Sequence, residues 1–278
     1  MEKRNTMIRN KWGVFLTLVR GTMIESLRID VLLLFAGAVF LSSLASRELL
    51  MTPITGILYA LGGTVPGSKD YFLVSQQMIP ILIVLLAYGR ILSNELNFRC
   101  QIVLPKCQSR SIWFLSLLAG SMGISFVFSL IGTGMASLGG LLFQKTFYGL
   151  GWINPVFCIS LTEFVKSATT LETVSNALLV FILFFIRLFM LLTIQLVVWI
   201  VSAKASVPLF TAVFMLGASL IYPQFLFLPV GGTMFFVTAE YGSFHGAGIL
   251  ISLVFLIVIA AFGWQYTSKA DWIKNFNH

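Results

Sequence analysis

The chain has 278 residues, 58% of them hydrophobic and only 10% charged, with a mean hydropathy of +0.95. Soluble domains carry about a quarter charged residues, so a water-facing globule is excluded and one membrane domain over 1–278 is expected. The formal net charge of +8 does not indicate nucleic acid, because the basic residues sit in short stretches between apolar segments and form no patch interleaved with aromatics.

The start of the chain, 1–30, is basic. It has no uninterrupted apolar core and no small-residue cleavage site, so a cytoplasmic start is expected and not a signal peptide. Trp12, Phe15, Val19, Met23 and Leu27 recur at helical spacing while Arg20, Glu25 and Arg28 stay polar. That pattern fits an amphipathic elbow helix lying in the membrane interface, and it also fits a helix continuous with the first span.

Six apolar segments approach the roughly 20 residues needed to cross the hydrocarbon layer. They are 31–46, 72–92, 112–143, 175–202, 207–228 and 248–266. The first is short and is expected to extend past Arg47 or to tilt. With the N-terminus inside, Lys3, Arg4, Arg9, Lys11, Arg20, Arg28, Arg90, Arg99, Lys106, Arg110, Lys204, Lys269 and Lys274 fall on one side, and Arg47, Lys69, Lys145 and Lys166 on the other. This Lys/Arg bias places both termini in the cytoplasm.

Two external stretches are apolar. In 143–174, Phe147, Tyr148, Trp152 and Phe157 are broken by Gly149, Gly151 and Pro155, which fits packing on the bundle's outer face. In 223–247, Pro229, Gly231 and Gly232 supply the bend of a re-entrant pair of half-helices. The expected fold is thus an all-α polytopic membrane protein with six transmembrane helices, an N-terminal interfacial elbow helix, and a re-entrant external segment before the last helix.

The chain is poor in catalytic groups. Its histidines are His245 and His278, no Asp or Glu lies near the middle of a span, and there is neither a His-Glu-x-x-His nor a Walker A sequence. Cys100 and Cys107 fall in a cytoplasmic loop and Cys158 outside, so neither a zinc site nor a disulfide is expected. No cofactor is expected on this chain.

The most informative polar stretch is the cytoplasmic loop 93–110. Glu95 and Arg99 are four apart with the acid first, which suits a helical ion pair. Leu96, Ile102, Val103 and Leu104 give the helix an apolar side and Pro105 ends it. Glu95, Val103-Leu104-Pro105 and Ser109-Arg110 resemble the cytoplasmic loop of permease subunits of the type-2 ABC exporter family, where a Glu precedes Leu-x-Pro-x-Ser-Arg. The resemblance extends to the whole chain through the elbow, the six spans and the re-entrant loop. This sequence departs from the pattern by inserting Lys106 and Cys107 after the proline and by lacking Gly-Thr after the acid.

That resemblance implies a dimer, with itself or with a related permease, docked on two copies of a separate ABC ATPase that bind ATP and Mg. It implies that Glu95 to Leu104 couple to the ATPase, in the plasma membrane of a bacterium, and that the cargo is hydrophobic or amphipathic. Compact permeases of this family often export membrane-active peptides from Gram-positive bacteria. The competing expectation is a non-transporting membrane scaffold or immunity protein that binds a toxic peptide and does not need the loop; in neither case is the chain itself an enzyme.

Within the spans, Arg187 must face protein or water, since an unpaired charge there costs roughly 2.5 kcal/mol or more. It fits a charge lining a translocation route or lateral gate, and equally a structural Arg bonding carbonyls or snorkelling to headgroups. Gln76, Gln77 and Gln195 suit cross-helix bonding or a polar cavity. Gly132, Ala136 and Gly140 form a row of small residues that admits another helix at close range.

Overall fold

Inside a bilayer each backbone N–H and C=O must be satisfied within the protein, which makes a helix of any isolated apolar run. The computed structural model describes residues 2–44, 53–62, 71–95, 110–142, 170–202, 206–221 and 245–269, and among them every regular element is a helix. In chain order these are α1 (Glu2–Ser26), α2 (Ile29–Leu44), α3 (Pro53–Leu61), α4 (Tyr71–Asn94), α5 (Arg110–Leu142), α6 (Thr170–Ser202), α7 (Ser206–Ile221) and α8 (His245–Lys269).

Each of the six expected segments meets a helix, α2 and α4 to α8, so the helical membrane class holds. Among the described residues, four stretches are long and apolar enough to cross unaided: Val74–Asn94, Arg110–Gly140, Ala177–Ser202 and Ile249–Ser268. A fifth crossing exists if α1 and α2 count together as one bent pair, with 57° between them. The 16 residues of α7 extend about 24 Å, short of the roughly 30 Å core. The expected re-entrant stretch falls mostly outside the described residues, and its last three positions, from His245, already belong to α8.

The break between α1 and α2 is marked by a two-pronged ion pair. Arg28 donates from Nε to Asp30 Oδ1 at 3.1 Å and from Nη2 to Oδ2 at 3.0 Å, and Asp30 sits in the first turn of α2, where a negative charge complements the helix dipole. Of the side chains described in α1, Thr22 and Ser26 are buried and Trp12 is exposed; the close seats on α5 are glycines, with Gly120 facing Thr22 and Gly123 facing Met23 of the apolar row.

α5 is the post around which the bundle is built, packing against α1, α2, α3, α6 and α8. α2 runs parallel to it, since Phe35 meets Phe128 edge-on at 4.8 Å and also Gly132. α6 runs antiparallel, with Phe126 against Phe181 and Phe185. At the Arg110 end of α5, α8 is held by Gly263, where a Cβ would lie 2.7 Å from both Phe114 and Val197. The rest of α8 is largely exposed, with Leu250, Val254, Ile257 and Phe262 facing outward.

One helix lay outside the six-segment expectation. α3 has nine residues and docks on α5 along the expected row of small residues: a Cβ on Gly56 would stand 2.5 Å from the Ala136 carbonyl and 3.1 Å from the Gly140 nitrogen. Farther along, Leu61 meets Gly132. α3 therefore runs opposite to α5, from its far end toward its middle, and enters the bundle carbonyl end first.

Candidate functional site: polar contacts inside an apolar bundle

Arg187 lies ten residues into the apolar stretch that begins at Ala177, about 15 Å along it. It is 1% exposed. Its Nη1 donates to the Leu61 carbonyl at 3.3 Å, and its guanidinium carbon stands 6.0 Å from the Phe184 ring centroid. Leu61 is the last residue of α3, where carbonyls lack an intrahelical partner and the dipole presents its negative end. Arg187 is thus placed as the cap of a half-helix sunk into the bundle.

A second contact lies farther along α6. Gln195, 1% exposed, donates its Nε2 to the Leu85 carbonyl of α4 at 3.0 Å. It reaches there because residue 89 is glycine: a Cβ at Gly89 would sit 2.8 Å from the same Nε2. Here glycine serves a side chain of the neighbouring helix.

A third contact is dictated by a proline. Pro80 lies inside α4 and has no N–H to offer the carbonyl four residues earlier, that of Gln76. Ser42 of α2 supplies the missing donor, its Oγ standing 3.1 Å from the Gln76 carbonyl while also 2.9 Å from its own Ala38 carbonyl. One hydroxyl proton is shared between the two. The side chain of Gln76 is half-buried and that of Gln77 is buried at 2% exposure.

Toward the Arg110 end, α5 carries Ser121, Ser125 and Ser129 at four-residue spacing, all fully buried, with Thr133 next in the row. Across from them Tyr88 of α4 turns its hydroxyl toward Ser121 and lies within the field of Glu95. Trp113 is also buried at this end. The serine row is visible in the sequence as a period of four on one helix, beside the row of glycine and alanine.

Of the expected coupling residues, the structure places Glu95. It closes α4 with its side chain 2% exposed, turned into the bundle. Leu96, Arg99, Ile102, Val103, Leu104 and Pro105 lie outside the described residues, and with them the Glu95–Arg99 pair. Of the expected elbow residues, Trp12 and Phe15 form an edge-on pair at 5.8 Å, and Val19 and Met23 are half-buried. The structure therefore brings Arg187, Gln195, Gln77 and Glu95 into one bundle interior, and leaves Trp12 of α1 exposed on its flank.

Chemically, Arg187, Gln195 and Ser42 are hydrogen-bond donors aimed at carbonyls of neighbouring helices where a helix ends, lacks a side chain or carries a proline. Such contacts are worth about 0.6–2 kcal/mol each in membranes, enough to select one packing of helices and weak enough to exchange. Among the described residues no three His, Cys, Asp or Glu come together to hold a metal ion. In comparison with known proteins, no family model matches the chain, and neither does any curated sequence or solved structure.

Proposed function

We propose that this chain is the membrane-spanning subunit of an ATP-driven exporter of the type-2 ABC kind, moving a hydrophobic or amphipathic cargo outward, with a membrane-active peptide as the best candidate. ATP and Mg are bound by two copies of a partner ATPase. The permease pairs with itself or a relative in a bacterial plasma membrane, both termini in the cytoplasm, with six crossings and α1 as the elbow.

The observation that supports this function is the placement of Glu95. It stands where α4 passes into the loop resembling the exporter coupling loop, with its side chain inside the bundle near Tyr88. A push on that loop reaches α4, and through the Gln195 contact it reaches α6 and Arg187. Coupling of this sort needs a physically connected element with two arrangements, and contacts of one or two kcal/mol are suited to switching.

The test is cargo-stimulated ATP hydrolysis by the reconstituted complex. Glu95→Gln combined with Arg99→Ala is expected to abolish stimulation while leaving the permease–ATPase complex assembled. Full protection against a toxic peptide by that same variant would instead establish a non-transporting scaffold or immunity protein.

A further inference from the structure

The 57° turn between α1 and α2 carries the start of α1 away from the bundle and opens a wedge beside α5. Its walls are Trp12 and Phe15 from α1, Ile112, Leu115 and Met122 from α5, and Phe189 from α6, and they enclose about 560 Å³. That volume is in the range of ordinary ligand pockets, ~300–1,000 Å³. Its lining is hydrocarbon and aromatic throughout, and the one hydrogen-bonding group among those walls is the indole of Trp12. A non-helical peptide backbone lodged there would leave its N–H and C=O groups unsatisfied. A hydrocarbon chain would leave nothing unsatisfied.

The surroundings of the wedge are basic. Arg110 opens α5 two residues before Ile112, at the Trp12 end of the wedge, and Arg20 is exposed on α1 farther along, two residues before the Thr22 that meets Gly120. At a membrane surface such residues attract anionic headgroups by about 1 kcal/mol each. We propose that this wedge is a binding site for one phospholipid of the cytoplasmic leaflet, its acyl chain between α1, α5 and α6 and its anionic headgroup at the Arg110 end. The headgroup assignment rests on the orientation proposed above; the acyl site does not. The bound lipid fills the space under the elbow, so the angle of α1 depends on its presence.

The experiment uses the full chain, purified without any ATPase and reconstituted in phosphatidylcholine vesicles, so its result does not depend on whether the protein is an exporter. Phosphatidylglycerol brominated on its acyl chains is added as a fluorescence quencher. The contribution of Trp12 is taken as the difference from Trp12→Phe, and that of Trp264, which is exposed on α8, as the difference from Trp264→Phe. Trp12 is expected to reach half-quenching at roughly tenfold lower mole fraction of brominated lipid than Trp264. Ala119→Trp, which fills the wedge, is expected to abolish the high-affinity phase of lipid binding measured by native mass spectrometry. Parallel quenching of the two tryptophans would mean annular contact only and overturn the site. Protection of Trp12 by self-association, seen as concentration-dependent loss of quenching, would overturn it in favour of a contact with a second copy. Equal potency of brominated phosphatidylcholine would overturn the headgroup assignment.

Discussion

Replacing Arg187 by Met separates two effects that the structure sets against each other. The substitution keeps most of the side-chain volume, removes the Nη1 bond to the Leu61 carbonyl at 3.3 Å, and removes a charge that is 1% exposed. A buried carbonyl stripped of its donor costs about 1–3 kcal/mol. A cation near the middle of a span costs about 2.5–3.5 kcal/mol on insertion scales, so its removal is favourable by a similar amount. The two nearly cancel, and Arg187→Met is expected within about 1 kcal/mol of wild-type stability in denaturant unfolding of the purified chain. Arg187→Ala adds a cavity and is expected to cost about 2–5 kcal/mol. If the buried charge serves the proposed cargo route, Arg187→Met should change cargo selectivity in reconstituted export while the proposed dimer assembles normally. A loss above about 3 kcal/mol with Met would refute this balance of hydrogen bond against desolvation; export unchanged in rate and selectivity would remove Arg187 from the route.

Ser42→Ala should destabilise the chain by about 1 kcal/mol by depriving the Gln76 carbonyl of its donor, and most of that loss should vanish in the Pro80→Ala background, where the helix supplies its own N–H; a double-mutant cycle on unfolding free energies reads the difference. Gly56→Leu forces carbon into the Ala136 carbonyl and should cost at least about 1–3 kcal/mol, whereas Gly134→Ala, where nothing lies within 4 Å, should be tolerated in the same thermal assay. Gly89→Ala and Gln195→Leu disturb a single contact, so their effects on stability should fall short of additive by about 0.5–1 kcal/mol.

The six apolar segments were readable because hydropathy over about 20 residues depends on composition alone. α3 was not, since nine residues between Pro53 and Leu61 are too few to register as a span and carry no charge to mark a boundary. Its seat was half visible: Gly132, Ala136 and Gly140 announced a close neighbour without saying which. Arg187 stood out as a buried charge, yet its partner is a backbone carbonyl 126 positions away, and carbonyls have no signature in a sequence. The proline of α4 was equally plain, while the hydroxyl that answers it sits on another helix. The spacing of Glu95 to Arg99 is a surface pattern, yet the structure buries the Glu95 side chain, because periodicity on a short loop does not tell which face meets protein.

The docking of α3 has a bearing on how the chain is made. At about 14 Å in length this segment is too short to be stitched into a bilayer by itself, and the polar seats that receive it, Ala136 and Gly140 first and Arg187 later, leave the ribosome afterwards. A nascent chain halted before residue 187 holds the α5 seat for α3 but not the guanidinium that caps its last carbonyl. The docking of α3 is completed only when the later half of the chain brings Arg187 to Leu61.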